Sequence, residues 1–267
     1  MHEVDDLPID VERLVAPNPG PLTLSGTNTY LVHSPAWVID PGPPDQGHLE
    51  RVWAAAEARG GIAGIALTHR HLDHAGVAAA LRERSGAPLA AAPPPVGGSA
   101  FGEPDAGELK LDVGLSEGAR FGPLEVLETP GHAPDHVCFL LGTILFSGDA
   151  ILGEGSVFIP PEKGAMNSYL ESLRKLEKRQ LTVIYPGHGP VVGDARAKIT
   201  EYISHRLDRE RRLVQALDRG LRTRKELLDE AWSDVPEALR PAAALTLAAH
   251  LDKLALEGRL PPGVESA

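Results

Sequence analysis

The sequence predicts an α/β protein that ends in a small, mostly helical module. Two observations carry this reading. Up to about residue 190, short apolar runs bounded by glycine and proline alternate with helix-patterned stretches, and four of those runs end in histidine or aspartate. After Gly193 the texture changes, and nearly every segment carries helical patterning.

The elements follow in order. "TNTYLVHSPAWVIDPG" predicts a hairpin, with Tyr30 to Val32 and Trp37 to Ile39 flanking Ser34-Pro35. "GIAGIALTH" is a short buried strand that stops at a histidine cluster, and "HAGVAAALRERSG" is a helix closed by Gly86. "LEVLETPGH" runs as a strand into His132. "HVCFLLGTILFSGDA" is two strands around Gly142-Thr143, ending in Asp149. "NSYLESLRKLEKR" is an amphipathic helix, and "LTVIYPGHG" is a strand that delivers His188. Asp194 is the expected N-cap of a long helix. Residues 1–205 are expected to form the catalytic domain. Residues 206–267 are expected to form a connector helix and a helical module, the module itself at 222–262 with a loose Pro/Gly tail.

Composition narrows the class. A 42% hydrophobic and 24% charged chain is ordinary for a globular protein and excludes a disordered one. The net charge of −11 argues against a surface that is basic throughout. Residues 206 to 226 run against that trend, with eight cations against four carboxylates, a local +4 that leaves −15 elsewhere. Such a segment is a candidate guide for a polyanion or simply a solvated helix face. The single cysteine, Cys138, excludes an internal disulfide and a cysteine-based zinc site, and fits a reducing compartment. The start, "MHEVDDLPID", is acidic and lacks the apolar core of a signal peptide, and no run approaches the roughly 18 apolar residues of a membrane span. A cytoplasmic protein with no membrane partner is expected.

"LTHRHLDHAG" places His69, His71, Asp73 and His74 within six positions. Crowded imidazoles repel when protonated and waste packing when buried. A metal replaces that repulsion with coordination, and imidazole with carboxylate suits zinc, manganese or iron. The plain alternative is a solvated histidine-rich loop. His132, Asp149 and His188 offer further donors, each after a strand-like run and beside glycine, where backbone approaches closely.

Together these motifs resemble the metallo-β-lactamase fold superfamily over essentially the first 190 residues. The resemblance implies a four-layer αβ/βα sandwich with two metals at one edge, most simply two zinc ions, with manganese or iron as alternatives. It assigns His69, His71 and His132 to one metal, Asp73, His74 and His188 to the other, and Asp149 to both. It also implies hydrolysis by a metal-bridging hydroxide that Asp73 helps to orient. True lactamases of this fold lack an aspartate in the Asp149 position, and one group uses a cysteine ligand. Glyoxalase-II-like thioesterases share all seven ligands. "NPGPLTLSGTNTYLV", "YISHRLDRE" and "LAAHLDKLALEGRL" resemble a lactamase-like group that includes an endoribonuclease and carries a winged-helix-like C-terminal module.

The preferred expectation is cleavage of single-stranded RNA. The alternatives are hydrolysis of a small thioester or ester, and a non-catalytic nucleic-acid-binding protein. Candidate substrate contacts are Asn28, His136, Arg206, Arg209, Arg211 and Arg212. Each has a structural alternative: Asn28 capping a turn, His136 bonded within the fold, Arg206 paired with Glu210 at i,i+4. Cys138 and Tyr185 are expected in the core, and His250 as a helix packing residue.

Overall fold

Val137, Phe139 and Leu141 face one way along a strand, Cys138 and Leu140 face the other, and all five are buried. A strand covered on both faces needs a layer on each side, and this requirement organises the molecule. The computed structural model describes residues 10–93 and 109–264. The first nine residues and the last three of the expected tail lie outside the described residues.

The chain runs β1 (Val11–Val15), β2 (Asn28–Val32), β3 (Ala36–Ile39), α1 (Gln46–Ala58), β4 (Ile62–Ala66), α2 (Leu72–Ala75), α3 (Ala78–Ser85), β5 (Leu89–Ala91) and β6 (Val113–Gly114). It continues β7 (Arg120–Phe121), β8 (Leu124–Glu128), β9 (Val137–Leu141), β10 (Ile144–Gly148), α4 (Ala165–Glu177) and β11 (Val183–Pro186). Then come α5 (Ala195–Asp218), α6 (Arg224–Ala231), a 3-10 turn at Glu237–Leu239 and α7 (Arg240–Leu256).

One sheet has the order β1-β2-β3-β4-β5-β6, the other β11-β10-β9-β8-β7. Tyr30, Ile39 and Ala66 of the first meet Phe139, Phe146 and Tyr185 of the second in the central core. Leu31, Val38 and Ile65 face the opposite way, into a cluster with Val52 of α1 and Leu81 of α3. Cys138, Leu140 and Leu145 pack with Tyr169 and Leu173 of α4 and Ile199 and Tyr202 of α5. The result is the expected four-layer αβ/βα sandwich of the metallo-β-lactamase fold. Cys138 and Tyr185 lie in these cores, as read from the sequence.

The hairpin of β2 and β3 and the strands ending at His132, Asp149 and His188 form as expected. The helix expected from His74 to Ser85 is instead two helices. Gly42 takes its place in the ladder: its N–H donates to His74 O at 2.9 Å and its carbonyl accepts from Val77 N at 3.2 Å. The chain bends there, and α3 restarts at Ala78 and ends on Gly86 in the left-handed conformation.

Asp194 caps α5, accepting from Ala197 N at 2.9 Å. The helix runs unbroken through the 205/206 boundary. Its first half packs on the second sheet, and its second half joins α6 and α7 in a separate core around Leu213, Leu227, Trp232 and Leu251. His250 is fully buried in α7 against Trp232, with ring centroids 5.7 Å apart.

Candidate metal centre

Four strands bring the cluster together at one edge of the two sheets. The loop after β4 carries His69 and His71, and α2 carries Asp73 and His74. The loops after β8, β10 and β11 carry His132, Asp149 and His188. His69 Nε2 lies 3.0 Å from His71 Nδ1, which lies 3.1 Å from His132 Nε2. On the other side His188 Nε2 lies 3.3 Å from His74 Nε2 and 3.2 Å from Asp73 Oδ2. Asp149 reaches both sets, with Oδ2 3.6 Å from His132 Nε2 and 3.3 Å from His188 Nε2, and Oδ1 3.4 Å from His74 Nε2.

The far nitrogens explain why these rings converge. His69 Nδ1 donates to Thr68 Oγ1 at 3.0 Å, and that hydroxyl donates to Asp40 Oδ2 at 2.7 Å. His74 Nδ1 donates to Asp40 Oδ2 at 2.9 Å, His132 Nδ1 to Phe158 O at 2.9 Å, and His188 Nδ1 to Gly26 O at 3.3 Å. A ring that donates through one nitrogen offers a lone pair from the other, which is how metal-binding histidines are oriented. Thr27 Oγ1 donates to Asp73 Oδ2 at 3.2 Å while accepting from Asn18.

The donor set fits a metal pair. Three groups of three, His69/His71/His132, His69/His74/Asp149 and Asp73/His74/His188, have ligand atoms within 4.8 Å of one another. Asp149 Oδ1 is buried without a hydrogen-bond partner among the described residues, a costly state that a cation relieves. Gly187 makes room: a Cβ there would lie 2.4 Å from Asp149 Oδ1 and 2.7 Å from His74 Cε1.

Electrostatics divide the two sets. Burial pushes His69 well below the ordinary histidine value, helped by His74 and His71. Burial and neighbouring His132 bring His71 down to about 3. Burial also opposes charge on His188 and His74, but Asp149 and Asp73 overcome it, raising His188 to about 9 and His74 well above its usual range. Burial would raise Asp73, yet His74 and His188 hold it at about 2. In the ion-free cluster the two carboxylates therefore favour protonation of this histidine pair.

The family model for the metallo-beta-lactamase superfamily matches residues 22–188, a span that contains all seven cluster residues. The chain belongs to the metallo-β-lactamase superfamily. Members of this superfamily are generally hydrolases and bind metals such as zinc or iron. A second model, the beta-lactamase associated winged helix domain, matches residues 223–260, from the start of α6 through α7. Among superfamily relatives, the beta-lactamase-like protein 2 homolog of Drosophila melanogaster is 36% identical over 96% of this chain and 91% of its own. The atrochrysone carboxyl ACP thioesterase of Aspergillus fumigatus is 32% identical over 88% of this chain and 78% of its own. A metallo-beta-lactamase family protein from Thermus thermophilus superposes with a TM-score of 0.75 at 26% identity, covering 93% of this chain and 94% of that one. A further superfamily structure, solved in a di-iron-bound form, has a TM-score of 0.54 at 31% identity, covering 69% of this chain and 96% of that one.

The candidate substrate contacts separate. Arg206 and Arg209 line the cleft above the cluster. Arg211 is exposed and Arg212 partly buried on α5, and both pair with Asp208. Asn28 is fully buried and donates to Pro186 O at 2.8 Å and Gly189 O at 2.9 Å, so it pins the His188 loop from behind. His136 is buried too. Its Nε2 accepts from Asp149 N at 3.1 Å and its Nδ1 donates to Thr129 Oγ1 at 2.8 Å, so it holds the backbone of Asp149 and faces no cleft. The Arg206–Glu210 pair does not form, because Glu210 is taken by Lys253 and Arg259, each at 2.7 Å. Asp40, Thr68 and Thr27 also position the cluster, and the sequence pattern does not mark them as site residues. The signal for Asp40 was an acidic residue closing a strand in "VIDPG", where a turn role is the ordinary reading.

Proposed function

We propose that the protein is a metal-dependent hydrolase of acyl thioesters. The supporting observation is the cleft above the cluster, about 280 Å³, into which His71, Asp73, His132, Asp149 and His188 open. Leu22, Leu24 and Phe158 line it from the catalytic half, and Trp232, Val235 and Leu239 from the C-terminal module. An apolar-walled cleft over a polar floor suits an acyl chain whose carbonyl carbon sits at the floor. A ribonucleotide strand wants free cations along its backbone and faces for stacking. The basic segment has few to spare: Arg209 is bound to Asp234, Arg211 and Arg212 to Asp208, Arg219 to Glu230 and Lys225 to Asp229. The thioesterase among the relatives supports the same choice. Thioester hydrolysis, an alternative in the sequence reading, therefore stands ahead of RNA cleavage.

On this reading two zinc ions would supply a Lewis acid for the carbonyl and an acidified water. His69, His71 and His132 would hold one, Asp73, His74 and His188 the other, and Asp149 both. Asp73 is the one member of the seven that is only partly buried, which places it to orient the attacking water. Water adds to the carbonyl carbon, the carbon–sulfur bond breaks, and a carboxylic acid and a thiol leave. No helix among the described residues is long and apolar enough to cross a membrane. A cytoplasmic setting belongs to the same proposal, since Cys138 is a buried free thiol.

The test is a parallel assay of the metal-loaded protein and its Asp149→Ala variant on an acyl thioester and on a ribo-oligonucleotide. Thioester turnover that Asp149→Ala abolishes is the expected result. Oligonucleotide cleavage without thioester turnover would restore the RNA reading. Oligonucleotide binding with neither reaction would favour the non-catalytic one.

A further inference from the structure

Two buried arginines line the cleft, and among the described residues only one of them has a counter-ion. Arg209 grips Asp234 through both terminal nitrogens, at 2.5 and 3.0 Å, and also donates to Ala231 O. Arg206, one helical turn earlier on α5, is 2% exposed. Its guanidinium donates to Val157 O, lies 5.3 Å from the Tyr169 ring centre, and leaves Nε without a hydrogen-bond partner among the described residues. No carboxylate among the described residues pairs with it. Glu210, in register to do so, is held between Lys253 and Arg259.

The surroundings do not repair this. His205 has its pKa brought down to about 4 by burial, then by Arg206 and Arg209, and His250 is pushed well down by burial and Arg206, so both are neutral at pH 7. Val157 O and the ring and hydroxyl of Tyr169 bring no negative charge to a desolvated cation, which ordinarily is paired when buried. Arg206 borders the same cavity as five of the seven cluster residues.

We propose that Arg206 is the recognition site for an oxyanion carried by the substrate, so that the preferred substrates join an apolar chain to a carboxylate or a phosphate. The inference rests on the thioester reading for the reaction but not for the binding. A carboxylate on the acyl part and a phosphate on the thiol part present the same chemistry to a guanidinium. Either would supply the missing charge while the apolar walls take the chain.

The experiment uses metal-loaded, full-length protein and non-hydrolysable thioethers, with binding followed by calorimetry. One pair shares a simple thiol and differs only at the end of the alkyl chain, methyl or carboxylate. A second pair shares the methyl-ended chain and differs on the thiol arm, with or without a terminal phosphate. In one of the pairs the anionic member is expected to bind about tenfold or more tightly. Arg206→Gln, which keeps a donor for Val157 O, should erase that preference and leave the neutral ligand nearly unchanged. Arg206→Lys, which keeps the charge, should retain part of it. The pair that responds identifies the source of the oxyanion. Equal affinity within both pairs, or an anion preference that survives Arg206→Gln, would overturn the proposal. Binding that behaves as expected in a protein that turns over no thioester would sink the thioester reading and leave this one standing.

Discussion

Asp40 accepts a hydrogen bond from His74 Nδ1 over 2.9 Å, from a position where its own backbone φ is +50°. A non-glycine residue in that region is strained, and such strain persists where the surroundings fix it. Here they do: the same carboxylate takes Thr68 N at 2.8 Å and the Thr68 hydroxyl at 2.7 Å. Asp40 thus aims His74 directly and His69 through Thr68.

Asp40→Asn turns an acceptor for three donors into a group that must place its own N–H against one of them. Metal affinity should fall about 10- to 100-fold, with a stability loss on the order of 1–3 kcal/mol. Competition with a chelator and thermal melting measure the two. Unchanged metal affinity would show that the cluster does not depend on Asp40.

Gly187→Ala adds one carbon where Asp149 Oδ1 would lie 2.4 Å away. The backbone there is not left-handed, so the clash is local to the cluster. The variant should fold, yet retain less than the two ions per chain expected of the parent. Elemental analysis after reconstitution decides it.

Metal uptake should release protons. The carboxylates raise His188 to about 9 in the ion-free cluster and His74 above its ordinary range, so this pair holds at least one proton at pH 7. A ring that ligates must give up its proton, so metal affinity should rise with pH up to about 9. Proton release in weakly buffered solution, measured with a pH indicator, checks the sign. No release at pH 7 would contradict it.

His48 sets an acid limit on the metal-free protein. It is fully buried, its Nε2 bonds Thr29 Oγ1 at 2.9 Å, and its Nδ1 has no hydrogen-bond partner among the described residues. Burial, aided by Arg51, brings it from 6.5 to about 4. Above pH 6.5 the ring is neutral in both folded and unfolded chains. As pH falls from 6.5 to about 4, only the unfolded chain takes up the proton, and up to ~3 kcal/mol of stability is lost. His48→Gln should lessen that loss in denaturant unfolding at pH 7 and pH 5.

The cluster was legible because histidine and aspartate at the ends of apolar runs are rare and chemically specific. The four-layer fold followed from the resemblance those residues carried. What stayed hidden depends on partners distant in sequence. Arg206 and Glu210 have the spacing of a helix pair, and nothing in that spacing tells that Lys253 and Arg259 will claim the glutamate. Asn28 and His136 are polar residues near the motifs, and only the folded chain shows that their bonds go to Pro186 O, Gly189 O and Asp149 N. The helix after His74 is broken by Gly42, more than thirty positions earlier.

The carbonyl that orients His132 belongs to Phe158, and both of its neighbours are held by the C-terminal helices. Arg206 of α5 takes Val157 O, and Thr246 of α7 accepts from Ile159 N at 3.2 Å. A free-energy coupling between two sites is reciprocal. If the seating of α7 steadies His132, an ion bound at His132 must in turn steady the seating of α7. Amides of α7 should therefore exchange with deuterated solvent more slowly once the protein is loaded, although none of the seven cluster residues lies in that helix. Thr246→Val should weaken this protection and metal retention together.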